Sequence, residues 1–185
     1  MVKQYRVLAL CGSLRNKSYN ATLIEALVDL APKQLEIIYH RDMTDLPLFN
    51  PDRENTQHPA VNKLREELNQ ADGLIIASPE YAHGMTGVIK NTLDWLVNGE
   101  AFVYMPVLLF NTSPRATHAQ AALREVVKTM SGLVDDTASI SIPLLGSNLD
   151  KIGIIQHGEI SKALKNSLRL FQQTIIDNKM KISLE

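Results

Sequence analysis

Cysteine is almost absent from this sequence: Cys11 is the only one among 185 residues. One thiol excludes an internal disulfide framework and a cysteine-rich zinc site, and it favours a reducing compartment. Long apolar runs are missing too, since no stretch approaches the roughly 18 residues of a membrane span. The apolar run at residues 7–11 is too short for the core of a signal peptide. We therefore expect a soluble, cytoplasmic protein without a membrane partner.

The sequence also lacks an excess of either charge. Nineteen Lys and Arg offset twenty Asp and Glu, which leaves a net charge of −1. This balance gives no overall field to attract nucleic acid, and no basic stripe is interleaved with aromatic residues. The five histidines follow no metal-ligand spacing and are predicted to lie in loops or at the surface. We predict no nucleic-acid partner and no bound metal, and any anionic ligand must be bound locally.

What the sequence does contain is a hydrophobic fraction of 45%, ample for a full core, and a regular alternation of strands and helices. The predicted strands are 5–11, 35–39, 73–77, 106–110 and 137–142, and helical periodicities follow them. No repeat or linker interrupts the alternation. We predict one domain over residues 1–185, an α/β fold with a doubly wound five-stranded parallel sheet in the order 2-1-3-4-5 and helices on both faces.

Sheets of this kind bind ligands beyond the carboxyl ends of their strands, at the point where the strand order reverses. In the predicted order that point lies between the first and third strands. Two loops meet there, residues 12–20 and residues 78–87. Both have an unusual composition.

The first loop joins a buried strand to the start of a helix, for which Ser18 is the predicted N-cap. Backbone N–H groups converge at such a helix start, and Arg15 adds a guanidinium able to bind a phosphate through two hydrogen bonds. A capped helix start with solvated cations explains the composition equally well. The glycines of a nucleoside triphosphatase loop and of a dinucleotide-binding loop are missing, so a small phosphate monoester is the best match.

The second loop combines a rigid start with a flat aromatic ring. Pro79 stiffens the backbone, Gly84 and Gly87 permit close approach of a ligand, and Tyr81 offers a ring to a planar group. A half-buried surface tyrosine is the commoner role for such a residue taken singly. Its position beside a phosphate-binding loop favours a ligand that carries both a phosphate and a planar ring system.

Two motifs at these loops resemble those of NAD(P)H-dependent FMN reductases of flavodoxin-like fold, which include quinone and azo-compound reductases. One is Gly-Ser-x-Arg-x-x-Ser-x-Asn at residues 12–20. The other is Pro-Glu-Tyr at residues 79–81, followed by Lys-Asn-x-x-Asp-Trp at residues 90–95. Many members carry Asn after the Pro-Glu-Tyr, where this chain has Ala82 and His83. The third loop also departs from the usual glycine-rich pattern, with Pro114 and Arg115.

The resemblance implies that FMN lies between the two loops and a residue after the fourth strand. The FMN-binding residues that it implies are Gly12, Ser13, Leu14, Arg15, Ser18, Asn20, Pro79, Glu80, Tyr81, Ala82, His83, Gly84 and Ser113. It also implies NADPH or NADH as co-substrate, a small-molecule electron acceptor, and a homodimer or homotetramer.

The expected activity is hydride transfer through FMN to a quinone, an azo compound or free flavin, by a ping-pong mechanism. No catalytic side chain is assigned, because the flavin itself accepts and donates the electrons. A flavodoxin-type one-electron carrier is the alternative, although a net charge of −1 lacks the acidic surface that suits docking to basic redox partners. A non-enzymatic flavin-binding module is the third hypothesis.

Overall fold

The computed structural model describes residues 3–54 and 57–183, which alternate between strands and helices. The strands are β1 (Tyr5–Cys11), β2 (Leu35–Tyr39), β3 (Gly73–Ala77), β4 (Glu80–Tyr81), β5 (Gly84–Met85), β6 (Pro106–Asn111), β7 (Leu133–Val134) and β8 (Ile140–Ser141). The helices are α1 (Tyr19–Leu30), α2 (Pro59–Asn69), α3 (Gly87–Leu96), α4 (Thr117–Thr129), α5 (Lys151–Gln156) and α6 (Gly158–Ile182).

The main sheet is parallel, with the order β2-β1-β3-β6 and a fifth position beside β6. That position is shared by two short strands: β7 pairs with the start of β6 and β8 with its end. The predicted order 2-1-3-4-5 is therefore confirmed. The order reverses between β1 and β3, as a doubly wound sheet requires.

The central strands are buried on both faces, because helices cover each side of the sheet. Along β1, Val7, Ala9 and Cys11 pack toward α1 and α6, while Leu8 and Leu10 pack toward α2 and α3. Successive side chains of a strand point to opposite faces, so the inner part of a strand between two helical layers is apolar at successive positions. This explains the uninterrupted apolar runs in the sequence.

The fifth strand differs from the prediction of one strand over 137–142. The backbone leaves the sheet after β7 and makes a turn at residues 135–139 before β8 begins. Asp135 holds this turn, since its Oδ1 accepts hydrogen bonds from the N–H groups of Thr137 at 3.1 Å and Ala138 at 2.9 Å. A carboxylate that satisfies turn donors competes with strand pairing.

His40 lies in the loop after β2, as predicted, but it is not at the surface. Its side chain is buried, and its Nδ1 lies 2.6 Å from Glu67 Oε2 on α2. The partner is 27 residues away in the sequence, so no local pattern predicts this contact.

Within the described ranges, no helix is long and apolar enough to cross a membrane.

Candidate functional site

A cleft of about 250 Å³ opens at the carboxyl ends of β1, β3 and β6. It lies at the reversal of strand order where the sequence predicts a ligand site. Its walls come from the loops after the three strands and from one residue beyond β8. The lining residues are Ser13, Arg15, Lys17, Ser18, Tyr19, Asn20, Pro79, Glu80, Tyr81, Thr112, Ser113, Arg115, Ala116 and Leu145.

The end of the cleft formed by the first loop is polar and positively charged. Ser18 is the N-cap of α1, because its side chain accepts a hydrogen bond from the N–H of Ala21 at 3.3 Å. The positive end of the helix dipole therefore faces the cleft. Arg15 and Lys17 add two cations, and neither has an ion-pair partner among residues 3–54 and 57–183. An anion placed here meets hydrogen-bond donors and two cations that form no ion pair within the described part of the chain.

The first and third loops are joined beneath this end of the cleft. Thr112 Oγ1 donates a hydrogen bond to Asn20 Oδ1 at 3.2 Å, and both side chains are buried. Asn111, which ends β6, accepts a hydrogen bond from the N–H of Ser113 at 2.9 Å. These contacts fix Ser113 on the cleft wall. Asn20 thus has a structural partner in addition to its place in the lining.

Gly12 and Cys11 support the first loop from below. A Cβ on Gly12 would lie 2.2 Å from Ser78 Oγ and 2.7 Å from Ile89 Cγ1, so close packing is what requires glycine here. The Cys11 thiol is buried and donates to the carbonyl of Ser13 at 3.5 Å. Burial raises the pKa of this thiol above its ordinary value. A buried, protonated thiol is a packing group and a poor nucleophile.

The opposite wall of the cleft is a small β-hairpin that the sequence analysis placed in a plain loop. Strands β4 and β5 pair through Glu80 with Met85 and Tyr81 with Gly84. Tyr81 is 51% exposed and faces the cleft, so its ring is free to contact a ligand. The two turn residues, Ala82 and His83, have positive φ angles of 48° and 59°.

The motif at residues 90–95 lies outside the cleft and has a structural role. Asn91 Oδ1 accepts from the N–H of Phe49 at 2.7 Å, and its Nδ2 donates to the carbonyl of Pro47 at 2.9 Å. The indole Nε1 of Trp95 donates to the same carbonyl at 2.8 Å. These bonds attach the long connection after β2 to α3, and Trp95 is a core residue.

The structure brings most of the predicted FMN-binding residues into one cleft. Eight of the thirteen line it, namely Ser13, Arg15, Ser18, Asn20, Pro79, Glu80, Tyr81 and Ser113. Gly12, Leu14, Ala82, His83 and Gly84 belong to the same loops but are not part of the lining. The lining residues that the sequence analysis missed are Lys17, Tyr19, Thr112, Arg115, Ala116 and Leu145. Lys17 and Tyr19 lie within the motif at residues 12–20, and this position could have identified them as lining residues from the sequence.

This donor set fits a flavin mononucleotide. The hydroxyls of Ser13 and Ser18 and the guanidinium of Arg15 suit a phosphate dianion. The Tyr81 ring and the edge of the β4–β5 hairpin suit a flat heteroaromatic system. Both halves belong to one cleft, as a mononucleotide requires.

The comparisons with known proteins agree with this geometry. The family model of NADPH-dependent FMN reductases matches residues 5–141. A quinone reductase of Escherichia coli is 31% identical over 141 residues, which cover 72% of this chain and 75% of that protein. An NAD(P)H-dependent FMN reductase of Pseudomonas aeruginosa is 38% identical over 96 residues. That match covers 51% of this chain and 51% of the relative, about half the length of each.

A solved structure extends the likeness to nearly the whole chain. The flavoenzyme NAD(P)H:(acceptor) oxidoreductase FerB of Paracoccus denitrificans superposes with a TM-score of 0.84 at 25% identity. The superposition covers 94% of this chain and 98% of that one. With the family model matched over most of its length, this chain belongs to the NADPH-dependent FMN reductase family.

Proposed function

We propose that this protein is an FMN-dependent oxidoreductase that transfers hydride from NADPH or NADH to a flat acceptor. The observation that carries the proposal is the pairing of an anion-binding end and an aromatic wall in one cleft. The acceptor classes that we propose are quinones, azo compounds and free flavins. Family membership supports flavins as acceptors, and the quinone reductases among the relatives support quinones.

The residues of the first loop hold the phosphate of the cofactor. Arg15 supplies a charge and two parallel donors, and Ser13 and Ser18 supply hydroxyls at the start of α1. The N–H groups of that helix end point in the same direction. Because the protein has a net charge of only −1, this local arrangement and not a global field selects the anion.

The residues of the β4–β5 hairpin border the ring of the cofactor and the space beside it. Bound FMN supplies a ring that takes a hydride equivalent from a nicotinamide and gives two electrons to an acceptor. Tyr81 is half exposed and forms one side of the space beside the ring. The flat substrates lie in this space, which we call the substrate slot. Since one slot serves both substrates, the oxidised nicotinamide leaves before the acceptor enters, and we propose ping-pong kinetics.

We further propose that residues 1–185 act as one FMN-binding domain and assemble as a homodimer or homotetramer. Family membership supports the assembly, and sedimentation equilibrium will measure it. A single cysteine suits a reducing compartment, so we place the activity in the cytoplasm. A particle of monomer mass at micromolar concentration would contradict the proposed assembly but not the proposed activity.

Titration of the flavin-free protein with FMN tests cofactor binding. Replacement of Arg15 by Ala removes a charge-assisted contact worth about 1.5–3 kcal/mol, so we expect FMN affinity to fall about tenfold to hundredfold. The control is Arg169→Ala, an exposed arginine of α6, which should bind FMN like the wild type. Equal affinity in the Arg15 variant would place the phosphate elsewhere.

Steady-state oxidation of NADH and NADPH by the FMN-loaded protein tests the activity. A panel of quinones, azo dyes and free flavins identifies the acceptor, and parallel double-reciprocal plots indicate a ping-pong mechanism. FMN binding without turnover of any acceptor would favour an electron carrier or a binding module.

A further inference from the structure

The turn between β4 and β5 is held in a conformation that its residues disfavour. Ala82 and His83 have φ angles of 48° and 59°, both in the left-handed region. A two-residue hairpin turn with positive φ angles at both residues strongly prefers Asn-Gly, because side chains other than Asn, Asp and Gly are strained there. The strands that flank the turn have two residues each and pair only with one another among the described residues. Such a hairpin is not stable by itself.

A contact outside the hairpin compensates for this strain. The carboxylate of Glu80 accepts a hydrogen bond from the N–H of Ala119 at 2.8 Å, in the first turn of α4. The N-cap residue of α4 is Ala116, which has no side chain able to cap the helix. Glu80 therefore caps α4 from another element, and its negative charge lies at the positive end of the helix dipole.

A second contact joins the tip of the hairpin to the same helix end. The rings of His83 and His118 meet edge to face, with centroids 4.6 Å apart. The other carboxylate oxygen of Glu80 lies 3.7 Å from His83 Nδ1. Only 13% of the Glu80 side chain is exposed, so its bond to α4 is partly shielded from water.

We infer that Glu80 is a positioning residue, which fastens the β4–β5 hairpin to α4 and thereby sets the place of Tyr81 beside the substrate slot. The inference rests on the proposed function for its catalytic consequence only. Tyr81 follows Glu80 directly in β4, so its ring moves with the hairpin. Glu80 thus acts on the slot through the position of Tyr81.

Hydrogen exchange of the flavin-free protein tests the fastening without any activity. In Glu80→Ala, we expect the amides of residues 80–85 and the Ala119 amide to exchange about ten to a hundred times faster than in the wild type, as for a lost charge-assisted bond. Glu80→Gln keeps an oxygen that accepts from Ala119, so its exchange should remain nearer to the wild type. The matched control, Glu125→Ala, removes an exposed glutamate of the same helix and should change neither region.

Two further variants separate the local strain from the overall fold. Ala82→Asn introduces a residue that tolerates the left-handed conformation, and in the Glu80→Ala background it should restore part of the protection. His118→Ala removes the ring contact and should accelerate exchange at the turn by a smaller factor. Exchange in β1 reports the global fold and should stay unchanged in all variants. The inference would be overturned if the amides of Glu80→Ala exchanged at the wild-type rate, or if those of Glu80→Gln exchanged as fast as those of Glu80→Ala.

Kinetics then test the consequence for the slot. In Glu80→Ala loaded with FMN, we expect the KM for a quinone acceptor to rise at least fivefold and kcat to change less than that, because a mobile wall weakens substrate binding. Glu80→Gln should recover most of the loss. An unchanged KM would overturn the link to Tyr81. Absence of turnover in the wild type would refute the proposed function and leave the exchange result intact.

Discussion

Gly12 shows how a single residue joins the core of this protein to its site. The position has no room for a side chain, since a Cβ would lie 2.2 Å from Ser78 Oγ and 2.6 Å from Ser78 Cβ. The φ angle of Gly12 is not in the left-handed region, so steric exclusion and not backbone conformation demands glycine. The first and second loops touch at this point.

We predict that Gly12→Ala lowers the free energy of unfolding by about 1–3 kcal/mol, as overpacking does in a rigid interior. Urea denaturation will measure the change. Gly87→Ala is the control, because a Cβ there meets no atom within 4 Å and alanine favours the helix that begins at this residue. An equal loss in both variants would contradict the steric explanation.

Cys11 makes the stability of the protein sensitive to alkaline pH. Burial raises the pKa of its thiol above the ordinary value of about 9, and burial also raises the pKa of the neighbouring Tyr39 phenol. The unfolded chain therefore loses these protons at a lower pH than the folded chain does. By linkage, the stabilisation is complete below pH 9 and is lost as the pH rises toward the folded pKa values.

We predict that the free energy of unfolding decreases between pH 9 and pH 10.5, and that the decrease is smaller in Cys11→Ala. Urea titrations at several pH values will give both curves. The comparison concerns their slopes, because the variant also loses packing in the core. Parallel curves would show that the buried thiol does not cause the alkaline loss.

At the scale of elements, the edge beside β6 depends on the turn at residues 135–139. Asp135 is buried, and its second oxygen accepts a hydrogen bond from Thr174 Oγ1 on α6 at 2.6 Å. One carboxylate thus shapes the turn and attaches it to the longest helix. The β7 and β8 strands contribute little by themselves, since each pairs with β6 over two residues.

Replacement of Asp135 by Ala should lower the free energy of unfolding by about 2–3 kcal/mol, because buried donors lose a charged acceptor. Asp136→Ala is a closely matched control. That carboxylate is 77% exposed and pairs with Arg124 at the surface, so its loss should cost less than about 1 kcal/mol. Chemical denaturation of the two variants side by side will decide, and similar costs would contradict the role of Asp135.

At the scale of the whole molecule, the sheet provides a rigid base and the loops provide the site. Two apolar layers cover the faces of β1, β3 and β6, and the cleft opens only at the carboxyl rim. A ligand that joins the loops at this rim stabilises the folded state by mass action. The rise in melting temperature therefore reports how strongly the protein binds the ligand.

We predict that FMN at a hundred times its Kd raises Tm by about 5–10 °C, which corresponds to about 2.7 kcal/mol for a chain of this size. Riboflavin at the same concentration lacks the phosphate and should give less than half of that rise. Differential scanning calorimetry will measure both. Equal shifts for the two flavins would show that the first loop does not bind the phosphate.

The alternation of elements predicted the strand order through the rules for doubly wound sheets. Local patterns in the sequence predicted the elements themselves, the Ser18 cap and the two loops of the site. These features depend on neighbours in the chain: apolar runs form buried strands, and a short polar side chain caps the helix that follows it. The match between residues 12–20 and a phosphate-binding loop is local for the same reason.

The tertiary structure decided the contacts between distant residues. Glu80 caps a helix that begins 37 positions later, Asn91 attaches a connection 42 residues upstream, and Asp135 divides the fifth strand through bonds that reach α6. A periodicity records only which face of an element is apolar. It holds no information on which polar side chain will find its partner when elements far apart in the chain pack together, and only folding makes those choices.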